Sequence, residues 1–191
     1  MRLRLLLKKK NQFLKVDKRG EKMENKIKNN LKIDKRIRAV FGEIEFASVT
    51  SSPASTREGI MADQESEEAK QGRAILEMVN NASHYKEVVP DTGLLTSTKE
   101  FISDPDGNTI KIQYIRPDTE EELPCVYYIH GGGMMVSSCF DELYAAWGRC
   151  IARQGVAVAM VDFRNAMWAS SAPEVEPYPA GLNDCVSGLK W

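Results

Sequence analysis

His130-Gly131-Gly132-Gly133 is the stretch of this sequence best suited to chemistry. Relative to alanine in regular structure, each glycine costs about 0.5–1 kcal/mol of backbone entropy. A triplet that carries such a cost points to use of the backbone itself. The glycines follow the apolar run Cys125–Ile129. After a strand, glycines leave N–H groups free to point into a cleft, where they bind a phosphate or the oxyanion of an acyl-transfer intermediate. The plain alternative is a turn that closes a strand. Ser137 and Ser138 come shortly afterwards but have no base near them in sequence, so neither reads as a nucleophile. His84, in Asn-Ala-Ser-His-Tyr, reads as a surface residue. Cys125, Cys139, Cys150 and Cys185 form no C-x-x-C pair and no zinc-spaced cluster with histidine. They read as reduced thiols of a cytoplasmic protein.

The elements around the glycines follow from periodicity. Cys125–Ile129 and Val156–Val161 are near-continuous apolar runs, the pattern of strands buried on both faces. Between them, Phe140 to Gln154 reads as a helix with Leu143, Trp147, Cys150 and Ile151 inward, closed by Gly155. Ala180 to Trp191 reads as a helix that turns Leu182, Val186 and Leu189 to the core. Upstream, 98–103 and the alternating Thr109–Ile115 flank Asp104-Pro-Asp-Gly-Asn108, a turn signal, so they form a β-hairpin. A hairpin followed by strand, helix, strand, helix predicts an α/β sheet with parallel central strands. Glu65 to Val79 carries apolar residues at three- and four-residue steps and reads as a further helix.

Three segments together carry a family resemblance: Val126-Tyr-Tyr-Ile-His-Gly-Gly-Gly133, Val161-Asp-Phe-Arg164, and Pro177-Tyr-Pro-Ala-Gly-Leu-Asn-Asp184. In this order they resemble the hormone-sensitive-lipase-like branch of the α/β-hydrolases, a branch of carboxylesterases, lipases and acetyl-hydrolases. Those proteins show an H-G-G-G loop, a D-Y-R-x-A-P-E-like segment, then F-P-A-x-x-x-D before a helix. Here Asp162-Phe-Arg-Asn-Ala166 runs on into Met-Trp-Ala-Ser-Ser-Ala-Pro173, so the middle segment is lengthened and Ala172-Pro-Glu174 reads as its displaced remnant. The resemblance implies the N-terminal part of an α/β-hydrolase sheet. It implies an oxyanion hole from the N–H groups of Gly132 and Gly133, with Gly131 shaping the turn and His130 orienting the loop by a side-chain hydrogen bond. Asp162 and Arg164 become a structural pair at a strand end, with Asp184 in the same network. The expected function is carboxylic-ester hydrolysis through a serine acyl-enzyme, acting on a small ester, with no metal or organic cofactor. The fold's G-x-S-x-G nucleophile elbow does not occur in these 191 residues. The resemblance therefore implies that nucleophile, acid and histidine lie past Trp191, and that this stretch alone is inactive. The competing expectation is a non-catalytic remnant that binds a small apolar ligand or has no activity.

Composition bounds the rest. With 42% hydrophobic and 28% charged residues the chain can build a core. No apolar run approaches the roughly 18 residues of a membrane span. The net charge of −1 hides two different halves: residues 1–40 hold 15 Lys/Arg against 4 Asp/Glu, and the remainder 11 against 23. Residues 1–60 read as a basic, largely disordered extension or as a misassigned start, since Met61 follows the low-complexity stretch Ser48–Thr56. Lys26 to Arg38 suits a basic helix, yet no aromatic residue interleaves with its charges, so no nucleic-acid partner is expected. Residues 61–95 read as a cap-like helical segment and 96–191 as a partial α/β-hydrolase domain.

Overall fold

A computed structural model describes residues 26–41, 56–67, 69–74 and 84–191. The chain divides into two compact units, Met1–Pro53 and Ala54–Trp191. In the first, the expected single basic helix is two short ones, α1 (Lys26–Asn29) and α2 (Lys35–Phe41). Asn30 Oδ1 accepts the Lys32 N–H (3.0 Å), and Asp34 Oδ1 accepts the Arg36 N–H (2.8 Å). Such short polar side chains offer the backbone an alternative to helical bonding, which accounts for the break. Most of the expected 1–60 extension lies outside the described residues.

The second unit opens with α3 (Arg57–Gln64), capped by Thr56, whose hydroxyl accepts the Gly59 N–H. A further helical run covers 69–74. The helix expected over Glu65–Val79 is thus displaced and divided, with the break at 65–66; residues 75–79 lie outside the described ones. A single turn, α4 (Tyr85–Val88), precedes the sheet.

Strands β1 (Leu94–Ile102) and β2 (Thr109–Pro117) form the expected hairpin, in register from Leu94↔Pro117 to Ile102↔Thr109. Then come β3 (Cys125–Ile129), α5 (Glu142–Ala152), β4 (Ala157–Asp162) and α6 (Ala180–Lys190). The sheet order is β1-β2-β4-β3, with β4 antiparallel to β2 and parallel to β3. The expected α/β sheet with parallel strands is present.

Burial corrects three expectations. Every residue of β4 is buried, but β3 is the edge strand and is at best half-buried. An apolar run marks a strand; what covers it depends on neighbours that lie elsewhere in the chain. On α6, Leu182, Val186 and Leu189 are exposed, and Gly181, Asp184, Cys185 and Gly188 face the sheet. A Cβ on Gly188 would lie 2.6 Å from the Tyr127 hydroxyl and 3.0 Å from Phe101, so only a helix face without side chains fits there. On α5, Trp147 is exposed, while Ala145, Ala146, Gly148, Arg149 and Ala152 are buried. Gly148 plays the same part there, because its Cβ would fall 2.4 Å from Met160 Sδ. Large residues in the strands leave room only for small ones on the helices.

Two apolar layers result. Ile110, Ile112, Ala159, Val161 and Phe163 pack with Cys185 on the α6 side. Ile115, Val158 and Met160 pack with Cys139 and Ala152 on the α5 side.

Candidate active site

The parallel pairing of β3 with β4 ends at Ile129↔Val161, and both chains leave the sheet at the same end. His130 therefore meets Phe163: the rings stack at 4.3 Å and 8°. The His130 ring is buried, and its Nδ1 lies 2.7 Å from the Gly131 carbonyl oxygen. Burial pushes the imidazole pKa down, outweighing the Gly131 carbonyl and the Asp162 and Asp141 carboxylates, so the ring is neutral near pH 7. A carbonyl only accepts, so Nδ1 carries the proton and donates. Nε2 is then a bare lone pair without a hydrogen-bond partner, 3.9 Å from Asp162 Oδ1.

The loop beyond is left-handed. Gly132 has φ +116° and Gly133 φ +66°, followed by Met134 at +57° and Ser137 at +80°. A Cβ on Gly132 would lie 2.2 Å from the Val136 carbonyl oxygen. Non-glycine residues in this region cost on the order of 1–3 kcal/mol each, so surrounding bonds must hold them. They do. The Gly132 carbonyl accepts from Met135 N–H and Val136 N–H. The Met134 carbonyl accepts from Ala166 N–H, and that of Met135 from Met167 N–H and Trp168 N–H. Asn165, fully buried, donates from Nδ2 to the Ser137 carbonyl at 2.6 Å. Within this web the N–H groups of Gly131, Gly132 and Gly133 bond to no described residue. Consecutive unpartnered amides are the groups from which proteins build anion sites.

Asp162 is the hub beneath the loop. Its Oδ1 accepts from Ser138 Oγ (2.7 Å) and Cys139 N–H (2.9 Å), and its Oδ2 from Ser171 N–H (2.7 Å). It does not pair with Arg164, contrary to the sequence expectation. Arg164 instead forks onto Asp184, Nε to Oδ2 at 2.9 Å and Nη2 to Oδ1 at 2.7 Å, and reaches Asp106 with Nη1 at 2.7 Å. The Asp184 carboxylate, more than burial opposes, holds the Arg164 guanidinium charged, and Arg164 in turn lowers the Asp106 pKa. Ser103 Oγ donates to Asp184 as well. This network ties the hairpin turn, the end of β4 and α6 together. Ser138 serves Asp162 and has no imidazole as partner, in keeping with its exclusion as a nucleophile. His84 is exposed, near Glu87.

The sequence reading missed Asn165 and Arg57. Arg57 donates to the carbonyls of Ala166 (2.9 Å) and Val175 (3.3 Å), and so fastens α3 to the segment that bonds the glycine loop. Asn165 had a signal: it is a polar residue directly after an apolar strand, beside Arg164. Arg57 had none, because its partners lie more than a hundred positions away and are backbone atoms. A cleft of about 580 Å³ opens past the glycines, with Ser137, Phe140, Lys111 and Trp168 in its walls; neither His130 nor any of the three glycines lines it. Among the described residues no helix is long and apolar enough to cross a membrane, and no His/Cys/Asp/Glu group is arranged to hold a metal.

No family model matches the chain. The carboxylesterase NlhH of Mycobacterium tuberculosis is 35% identical over 78 residues, 41% of this chain and 22% of NlhH. Tuliposide A-converting enzyme b1 of Tulipa gesneriana is 28% identical over 100 residues, 50% of this chain and 25% of that enzyme. Among solved structures, esterase Est22 is 51% identical with a TM-score of 0.77, over 87% of this chain and 47% of Est22. Brefeldin A esterase, a bacterial homologue of human hormone-sensitive lipase, is 27% identical with a TM-score of 0.61, over 76% of this chain and 38% of its own. The chain thus spans about a quarter of these curated relatives and about half of Est22.

Proposed function

We propose, for a chain that belongs to the hormone-sensitive-lipase-like esterases of the α/β-hydrolase fold, the role of oxyanion-binding half of a serine carboxylic-ester hydrolase. The observation that carries this reading is the set of amides at Gly131–Gly133 that bond to no described residue, presented after β3 with Gly132 and Gly133 in left-handed backbone. In the proposed step a serine hydroxyl attacks the ester carbonyl, and the N–H groups of Gly132 and Gly133 bind the oxygen as it gains charge. The alcohol leaves, and water releases the acyl group from the serine. His130 is not the base: its Nδ1 proton is committed to Gly131, and Asp162 lies beside its other nitrogen. It fixes the glycine turn. The serine requires a G-x-S-x-G elbow, which these 191 residues do not contain. We therefore expect no ester turnover from them alone. A cytoplasmic location accords with four cysteines that form no disulfide.

The test has two parts. The reading frame past the codon for Trp191 is sequenced, and its full product is assayed on p-nitrophenyl acetate. An in-frame G-x-S-x-G with later Asp and His is expected. So is a kcat loss of roughly a hundredfold in Gly132→Ala, whose methyl group meets the Val136 carbonyl oxygen and forces the loop and its donors out of place. A frame without an elbow, or hydrolysis by residues 1–191 that survives a serine-directed reagent, removes the proposal and leaves a non-catalytic ligand-binding chain.

A further inference from the structure

The cleft past the glycines contains more hydrogen-bond donors than the fold uses. Lys111 lies in its wall, and its ammonium bonds to no other described residue. The hydroxyls of Thr98 and Ser137 in the same walls have no partner among the described residues either. Arg73 spends one guanidinium nitrogen on the Gln64 carbonyl (2.7 Å) and lies 5.4 Å over the Trp168 ring. That stacking sets the planar cation at the rim and leaves its other donors for a ligand.

Three acids bear on this charge. Asp162 stands opposite Lys111 across the β2–β4 pairing; its oxygens are turned to Ser138, Cys139 and Ser171, and it does not line the cleft. Glu100 stands opposite Lys111 on β1 and is exposed to water. Asp141 lines the cleft and accepts the Ser138 N–H with one oxygen, leaving the other free. Counting only the residues that line the cleft, Lys111 and Arg73 against Asp141 leave one unit of positive charge, with the Asp162 and Glu100 carboxylates outside the lining. That balances a monoanion and falls short for a phosphate, which carries about −1.5 to −2 near neutrality. Phe140 and Trp168 add two aromatic surfaces.

We propose that this cleft is a binding site for a small monocarboxylate with an apolar or aromatic body, its carboxylate held by Lys111 and Arg73 and its body placed against Phe140 and Trp168. None of the three glycines lines this site, and its test reads binding rather than hydrolysis, so its fate does not depend on the hydrolase reading.

Tryptophan fluorescence of the 191-residue chain at low ionic strength tests it, with benzoate as probe and benzyl alcohol and inorganic phosphate as comparison arms. Saturable benzoate binding is expected, weakened about tenfold in Lys111→Gln and in Arg73→Gln, since each removes one charge-assisted contact. Lys99→Gln, on the opposite face of the sheet, leaves it unchanged. Trp168→Phe removes the optical signal, while calorimetry still detects binding. Far-UV circular dichroism checks that each variant is folded, and either charge variant suffices if the other is not. Benzyl alcohol binding as tightly as benzoate overturns the proposal, as does phosphate binding more tightly. Benzoate affinity that is absent, or indifferent to both charge substitutions, overturns it too.

Discussion

Gly132 and Gly133 both occupy left-handed backbone, yet a methyl group meets different surroundings at each. On Gly132 it meets the Val136 carbonyl oxygen at 2.2 Å, a backbone atom that cannot step aside alone. On Gly133 its nearest neighbour is the flexible tip of Met135 at 3.3 Å. Gly133→Ala should then cost about 1–2 kcal/mol of conformational strain, and Gly132→Ala more, because the loop must also shift. Urea unfolding midpoints of the two variants test the order. His130 gives a pH signature. Its folded-state pKa lies below the 6.5 of a free imidazole because burial favours the neutral ring. The unfolded chain therefore takes up the proton first, so stability is complete above about pH 6.5 and is lost as pH falls through the lower folded value. Urea midpoints between pH 7.5 and 4.5 should fall less steeply in His130→Gln than in the wild type; equal slopes would assign the acid sensitivity to other groups.

Helix α6 shows where reading the sequence reached its limit. Leu182, Val186 and Leu189 follow helical spacing, and so do Gly181, Asp184, Cys185 and Gly188. Periodicity located the helix; choosing its inner face required knowing that Phe101, Tyr127 and Phe163 already fill the space beneath. Gly188→Val is expected to lower stability by about 1–3 kcal/mol through overpacking, measured by thermal unfolding. The outward substitution Leu189→Lys should be nearly neutral. The charged network makes a second test. Arg164→Met leaves Asp184 buried without its partner, a loss on the order of 3–5 kcal/mol. The hairpin, β3, β4 and the helices α5 and α6 were legible because each has a strong period or turn signal. The glycine motif was legible because three glycines in a row have few other uses. The partners of Asp162 and Arg164 were not: closeness in sequence suggested that the two pair with each other, whereas Arg164 reaches Asp184, twenty positions on, and Asp162 turns to Ser138, Cys139 and Ser171.

At the scale of the molecule, the sheet ends on β3, whose Val126 and Ile129 are 38% and 48% exposed. An exposed apolar edge pairs with whatever strand it meets. Sedimentation at rising concentration should show residues 1–191 self-associating, and Val126→Lys should reduce that association. Indifference to the substitution would place the contact elsewhere, with the α6 stripe of Leu182, Val186 and Leu189 the first surface to mutate next.

The fastening of α3 has a consequence for translation. Arg57 and its capping neighbour Thr56 precede Met61, which lies in the middle of that helix. Ribosomes initiating at Met61 would make a polypeptide with half a helix and no guanidinium latch on Ala166 and Val175. The two products should separate in thermal unfolding, the shorter melting at the lower temperature because Ala166 and Val175 have lost their donor.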